Sequence, residues 1–173
     1  MKRWLGTLAV VLGGMALAQT WIGSFAYTQK SDPLNDEDRS IIATFDREAV
    51  KGREAWLQWR CQKNSQSGKT DLFIALQHGL RVSDYAAYGG RVWWQYRFDK
   101  QTASSEWLSY FSEDGSRVYL TDEARRAFIE AATKAQKLVV VLSFDGAEPQ
   151  TFSFVLDQYA EARAKLKCDV LEK

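Results

Sequence analysis

The 173 residues include one histidine, two cysteines and two prolines. With His78 alone, a His-rich zinc site cannot be built. A hydrolase using His78 would need a nucleophile such as Ser109 or Ser83 and a nearby Asp, but no G-x-S-x-G or comparable signature is present. No glycine-rich phosphate loop occurs. Gly68-Lys69-Thr70 has the last letters of one, but the required earlier glycine is missing from the region of Gln62 and Asn64. Calcium would need an oxygen-rich cage. Asp32, Asn35, Asp36 and Asp38 lack EF-hand spacing and read as a solvated turn. Charge of one sign is also lacking, with 23 basic against 22 acidic residues and no basic run. That balance argues against nucleic acid as a partner. The chain is therefore expected to carry no catalytic constellation, metal or cofactor.

Long apolar runs are absent except at the start. Met1-Lys2-Arg3 precedes an apolar segment from Trp4 to Ala18, which ends in Ala16-Leu17-Ala18. A charged start, a short apolar stretch and an A-x-A site are the parts of a secretory signal peptide. The expected organisation is a signal at 1–18 and a single β-rich domain at 19–173, exported to the periplasm or beyond. Only an uncleaved signal would touch a membrane. Without Lys2 and Arg3 the remainder has 21 basic and 22 acidic residues. In an exported chain, Cys61 and Cys168 read as a disulfide, the alternative being two buried free thiols. A loop of that length would contribute about 4–5 kcal/mol in the chain-entropy model.

What is present is alternation. In Arg91–Asp99, Val92, Trp94, Tyr96 and Phe98 share one face, and Arg91, Trp93, Gln95, Arg97 and Asp99 the other. Ala55–Gln62 places Leu57, Trp59 and Cys61 inward and Trp56, Gln58, Arg60 and Gln62 outward. Strands are also expected at Gln19–Thr28, Ser40–Asp46, Asp71–Gln77, Glu106–Ser112, Arg117–Leu120 and Gln150–Leu156. Lys137–Phe144 is apolar on both faces, as in a doubly covered strand. Thr121 caps a helix to about Lys134, with Ala124, Phe128, Ala131 and Ala135 on one face. A last helix from near Asp157 turns Tyr159, Ala162 and Leu166 to the core and ends at Cys168. This pattern predicts a mainly β or α+β domain, an antiparallel β-sandwich-like fold with two helices and one disulfide.

Binding is the favoured function class. If the strands carrying Arg60 and Arg97 lie side by side, their outward faces combine Trp56, Arg60, Trp93, Arg97 and Asp99. Trp107 is a further candidate. Trp and Arg are enriched at interface hot spots, and Arg grips carboxylates with two hydrogen bonds. The alternative is internal, with Arg97 paired to Asp99 and the tryptophans under a helix. A small-molecule carrier would instead line an apolar pocket with Trp94, Tyr96 and Trp107.

Several motifs fall in order: S-D-P-L-N-D-E-D at Ser31–Asp38, W-R-C at Trp59–Cys61, Y-R-F-D at Tyr96–Asp99, Trp107 with S-E-D-G at Ser112–Gly115, then a helix and Cys168. In this order the chain resembles the exported VasI/TagO-like proteins associated with type VI secretion. Asp32 interrupts the Ser-Pro of that family's turn, and the segment from Asn64 to Gly90 matches poorly. The resemblance implies a periplasmic accessory domain. Its hallmark residues would be Arg60, Cys61, Arg97, Asp99, Trp107 and Cys168.

Overall fold

The structure is a computed structural model. It describes residues 19–46, 54–64, 67–77, 92–108, 110–111, 117–143 and 148–168. The expected signal segment at 1–18, His78 and Ser83, Ser109 and Ser112–Gly115 lie outside the described residues.

Eleven strands and two helices are described. They are β1 (Gln19–Ile22), β2 (Phe25–Thr28), β3 (Ile41–Phe45), β4 (Trp56–Lys63), β5 (Thr70–Gln77), β6 (Val92–Phe98), β7 (Ser104–Leu108), β8 (Tyr110–Phe111), β9 (Arg117–Tyr119), α1 (Asp122–Lys134), β10 (Lys137–Ser143), β11 (Gln150–Val155) and α2 (Tyr159–Arg163). A seven-stranded sheet runs β1-β2-β3-β4-β5-β9-β8, and a four-stranded sheet runs β11-β10-β6-β7. All pairings are antiparallel. The chain is thus an antiparallel β-sandwich-like domain with two helices and one disulfide.

Alternation places the core as expected. Leu57, Trp59 and Cys61 of β4 and Leu72, Ile74 and Leu76 of β5 are buried from the larger sheet. Trp94, Phe98, Leu138, Val140, Leu142, Phe152 and Phe154 are buried from the smaller one. Helix α1 starts where Thr121 accepts a hydrogen bond from the Ala124 N–H, with Asp122 and Glu123 in its first turn. Its buried residues are Arg125, Phe128 and Ala132, whereas Ala124 and Ala131 are only partly covered. The buried stripe is therefore rotated from the expected one and includes a charge. Phe128 reaches both sheets, with ring centroids 6.4 Å from Trp59 and 5.0 Å from Phe98. Tyr159 of α2 packs 4.9 Å from Trp59.

The sheets also meet at one edge. The Ser24 hydroxyl donates to the Val155 carbonyl at 2.7 Å, the Thr44 hydroxyl donates to it at 3.1 Å, and Asp46 forms a bridge to Phe154. These contacts engage the backbone of β11, an edge strand that would otherwise offer unpaired groups.

Three expectations need correction. Gln19–Thr28 is a hairpin, not one strand, because Gly23 turns the chain at φ +55°. Phe25 consequently goes into the core while Trp21 stays 53% exposed. Glu106–Ser112 is not one strand either, since β7 belongs to the smaller sheet and β8 to the larger. β10 is central in its sheet but fully covered on one face only, with Val139 and Val141 partly buried.

The Cys61–Cys168 bond joins the core side of β4 to the segment after α2, across a separation of 107 residues. Beside it, Asp38 accepts hydrogen bonds from the Ser40 N–H (2.8 Å) and the Lys167 N–H (2.6 Å). Its carboxylate lies 3.2 Å from the Cys61 sulfur. The 31–38 turn is thereby tied to the same clamp. No helix among the described residues is long and apolar enough to cross a membrane.

Reducing the disulfide should lower the unfolding free energy by about 2–5 kcal/mol in urea titrations of oxidised and reduced protein. Equal midpoints would contradict the clamp. A Cβ at Gly23 would lie 2.5 Å from the Asp157 carbonyl oxygen, whereas one at Gly68, with φ +70°, would meet nothing within 4 Å. Gly68→Ala should cost about 1 kcal/mol from backbone strain, and Gly23→Ala roughly 2–3 kcal/mol. Equal losses in thermal unfolding would show that the close approach is relieved by a shift.

Candidate functional site

The sheet order settles which candidate residues share a surface. β4 lies in the larger sheet and β6 in the smaller. The inner faces of the two sheets pack toward each other around Phe128, so their outer faces point apart. Trp56 and Arg60 therefore do not join Trp93, Arg97 and Asp99 on one face. The physical reason is that β4 hydrogen-bonds to β3 and β5, leaving β6 to pair with β10 and β7.

On the smaller sheet, Asp99 has a structural task. It sits at φ +44°, and its carboxylate accepts hydrogen bonds from the backbone N–H of Gln136 (3.1 Å) and Lys137 (2.8 Å). It thus fixes the exit of α1 into β10 and does not pair with Arg97. Arg97 is exposed, opposite Val139 in the ladder. Trp93 is partly buried and lies in register with Trp107 of β7. Of the residues suggested for a carrier pocket, Trp94 is fully buried, 5.4 Å from the Tyr96 ring, and both rings pack on Phe128.

The outer face of the larger sheet is built differently. Its outward residues fall into cross-strand rows. One row is Phe45, Trp56, Gln77 and Arg117. The next is Trp21, Ala26, Ala43, Gln58, Ala75 and Tyr119. A third holds Ile41, Arg60 and Phe73. Trp21 meets Phe45 edge-on at 6.1 Å, and Phe45 meets Trp56 at 5.5 Å, forming a continuous aromatic strip. Such pairs contribute about 0.5–1.5 kcal/mol each beyond their burial. Gln58 donates to the Gln77 side chain at 3.1 Å. Arg60 donates to Gln58 at 3.4 Å, and Arg117 donates to the Tyr119 hydroxyl at 3.3 Å.

Two arginines of the larger sheet and its adjoining helix have opposite circumstances. Arg125 is buried and ion-paired, although its Nε has no hydrogen-bond partner. It reaches the Leu72 carbonyl at 2.6 Å, Asp71 at 3.1 Å and Asp122 at 2.6 Å, and lies 4.7 Å over the Phe73 ring. Arg60 is half-buried, and no carboxylate pairs with it among the described residues. Its Nε is buried without a hydrogen-bond partner. Burial, and after it the positive charge of Arg117, push the Arg60 pKa down, with Tyr119 acting in the opposite direction.

A cleft of about 340 Å³ adjoins the Cys61 end of β4, lined by Lys30, Asp32, Arg39, Arg60 and Gln62 among others. Two of its charges are matched, since Arg39 bridges Asp32, and it bridges Glu37 as well, at 3.1 Å each. The hydrogen bond from the Leu34 N–H lowers the Asp32 pKa; desolvation works against it, and Arg39 adds to the lowering. With Asp32 and Asp38 so engaged, the 31–38 turn is a self-bonded loop, and no metal-ligand cluster occurs among the described residues.

Sequence reasoning missed Arg117, Tyr119, Phe45, Trp21 and Gln77 as residues of the same sheet face as Arg60. Each stands at an outward position of its strand, but only the strand order brings them together.

Invasion associated protein B of Bartonella henselae, known from a crystal structure, is similar in fold, with a TM-score of 0.54 and 11% identity over 86% of this chain and 94% of that one. At that identity the likeness concerns the fold alone. No family model matches the chain, and no curated protein does.

Arg125→Ala should destabilise the protein by about 3–5 kcal/mol, because it leaves Asp71 buried without its partner. Arg60→Ala should change stability by no more than about 1 kcal/mol, since no ion pair is lost. Urea unfolding of both variants checks the contrast; similar losses would make Arg60 a structural group.

Proposed function

We propose that this chain is an exported binding or accessory domain of the cell envelope, with the outer face of its larger sheet as the recognition surface. One observation carries the reading: the outer face that bears the Trp21–Phe45–Trp56 strip also bears, across the Gln58 row, Arg60, a half-buried guanidinium without a carboxylate partner among the described residues. Aromatic rings and arginine are the groups that dominate binding energy at protein surfaces. A half-desolvated charge without an opposite charge is costly to a domain that works alone, and that cost is relieved when a partner supplies one.

The Cys61–Cys168 disulfide supports an oxidising compartment outside the cytoplasm, in line with the signal-like residues 1–18. The resemblance to VasI/TagO-like proteins leads us to place the domain beside a secretion apparatus. Of the hallmark residues, Cys61 and Cys168 form the clamp and Asp99 holds backbone N–H groups, while Arg60 projects from the larger sheet. We assign no covalent chemistry to the domain.

Capture from envelope extract by the oxidised protein, with mass spectrometry of what is retained, tests this reading. Trp56→Ala should lose the retained partner at least tenfold while the variant remains folded. Arg97→Ala should retain it. Loss with Arg97→Ala and retention with Trp56→Ala would move recognition to the smaller sheet.

A further inference from the structure

We propose that the cleft at the Cys61 end of β4 is an anion site, which takes the carboxylate or phosphate group of a ligand between Lys30 and Arg60. The inference deepens the binding reading, on which it rests through Arg60, by naming the charged group that the ligand carries. The cleft is open space of about 340 Å³, at the small end of the range of ligand clefts, roughly 300–1,000 Å³. Lys30, Ser31 and Pro33 line it from the loop after β2, and Arg60 and Gln62 line it from β4, with Ile41 opposite Arg60 in the ladder. Ser40 ties these two walls together. Its hydroxyl accepts from the Lys30 N–H at 3.1 Å, and its carbonyl accepts from the Cys61 N–H at 3.0 Å. The Arg39 N–H donates to the Lys30 carbonyl at 2.8 Å. The walls are therefore set before a ligand arrives, which lowers the ordering cost of binding.

The charges in and beside the cleft are unevenly matched. Arg39 is taken up by Asp32 and Glu37, at 3.1 Å each. Both oxygens of Asp32 are occupied, Oδ1 by the Leu34 N–H at 2.9 Å and Oδ2 by Arg39. Lys30 and Arg60 have no carboxylate partner among the described residues. Three cations thus face two carboxylates, and a cleft with an excess of one sign focuses its field on an incoming ion of the other. Arg60 meets the ligand with the outer end of its guanidinium. Its Nε is buried and out of reach. Its Nη1 donates to Gln58 at 3.4 Å, whereas its Nη2 makes no hydrogen bond among the described residues and is not one of the buried unpaired atoms. A hydrogen bond from such an N–H to an oxyanion is about twice as strong as one between neutral groups. Lys30 is exposed and supplies a flexible point charge from the facing wall, beside the Ser31 hydroxyl.

The lining also bounds the rest of the ligand. Pro33 and Ile41 offer the cleft's apolar surface, and the negative charge of Asp32 and Glu37 disfavours a second anionic group on their side. The ligand class is a compact oxyanion. Trp56 lies four residues from Arg60 on β4, roughly 13 Å along the strand. A small anion therefore occupies the cleft alone, and a larger partner resting on the aromatic strip reaches it with an acidic group.

The test titrates the oxidised full chain with succinate, inorganic phosphate and uncharged succinamide at fixed ionic strength, followed by amide chemical shifts. At least one charged probe should saturate, bind tenfold or more tightly than succinamide, and shift the amides of Lys30, Ser31 and Gln62 most. A preference for succinate assigns the site to carboxylates, and a preference for phosphate assigns it to phosphate groups. Lys30→Gln and Arg60→Gln should each weaken the charged probe several-fold to tenfold, with native shifts elsewhere. Arg97→Gln, which removes a cation from the other sheet, should leave the affinity unchanged. No saturation by either charged probe, equal binding of succinamide, or unchanged affinity in both Lys30→Gln and Arg60→Gln would overturn the assignment. A loss in Arg97→Gln as large as in those two would also overturn it, because binding would then follow overall charge. An envelope partner lost with Trp56→Ala, alongside no response to the charged probes, would overturn the anion site while leaving the binding face standing. Saturable charged-probe binding without any envelope partner would support the anion site and count against the accessory-domain reading.

Discussion

The contact on which the architecture depends is the Phe128 ring. It projects from α1 into the space between the sheets and meets Trp59 on one side and Trp94, Tyr96 and Phe98 on the other. Two short-stranded sheets enclose little apolar area by themselves, and a helix wedged between them adds large aromatic surfaces to both. The helix is held in turn. Thr121 caps its start, Arg125 ties its first turn to Asp71 and the Leu72 carbonyl, and Asp99 binds the N–H groups at its exit. The disulfide then holds the chain end to β4, the strand that also presents Trp59 to Phe128.

Strand β4 links this core to the outer surface. Trp59 and Arg60 are adjacent, and the two-residue period sends one to the center and the other to the outside. The inner aromatics are engaged with Phe128, Tyr159 and one another. The outer aromatics form a separate strip that ends at Trp21, which is 53% exposed. Core packing therefore accounts for one set of rings and leaves the other set without a role in holding the sheets together.

Much of this was legible in the sequence because it is local. The alternation in β4, β5 and β6, the cap at Thr121 and the β10–β11 hairpin depend on neighbours within a few residues. What was not legible depends on distant parts of the chain. Gly23 looked like one position in a continuous strand; its turn is set by the Asp157 carbonyl, which leaves no room for a side chain. Arg125 carries a charge in phase with Phe128 and Ala132, a visible signal whose meaning required Asp71 on another element. The grouping of Trp56 and Arg60 with Trp93 and Arg97 assumed strand adjacency, which no local pattern encodes. Arg117 and Tyr119 became neighbours of Arg60 only through the placement of β9 beside β5.

The central claim is that recognition belongs to the larger sheet's outer face. A photoactivatable phenylalanine analogue placed singly at position 56 or at position 97, with irradiation in the cells that produce the protein, tests it most directly. The account predicts a discrete crosslinked species from position 56 and none from position 97. A discrete species from position 97 alone would contradict it and assign recognition to the four-stranded sheet.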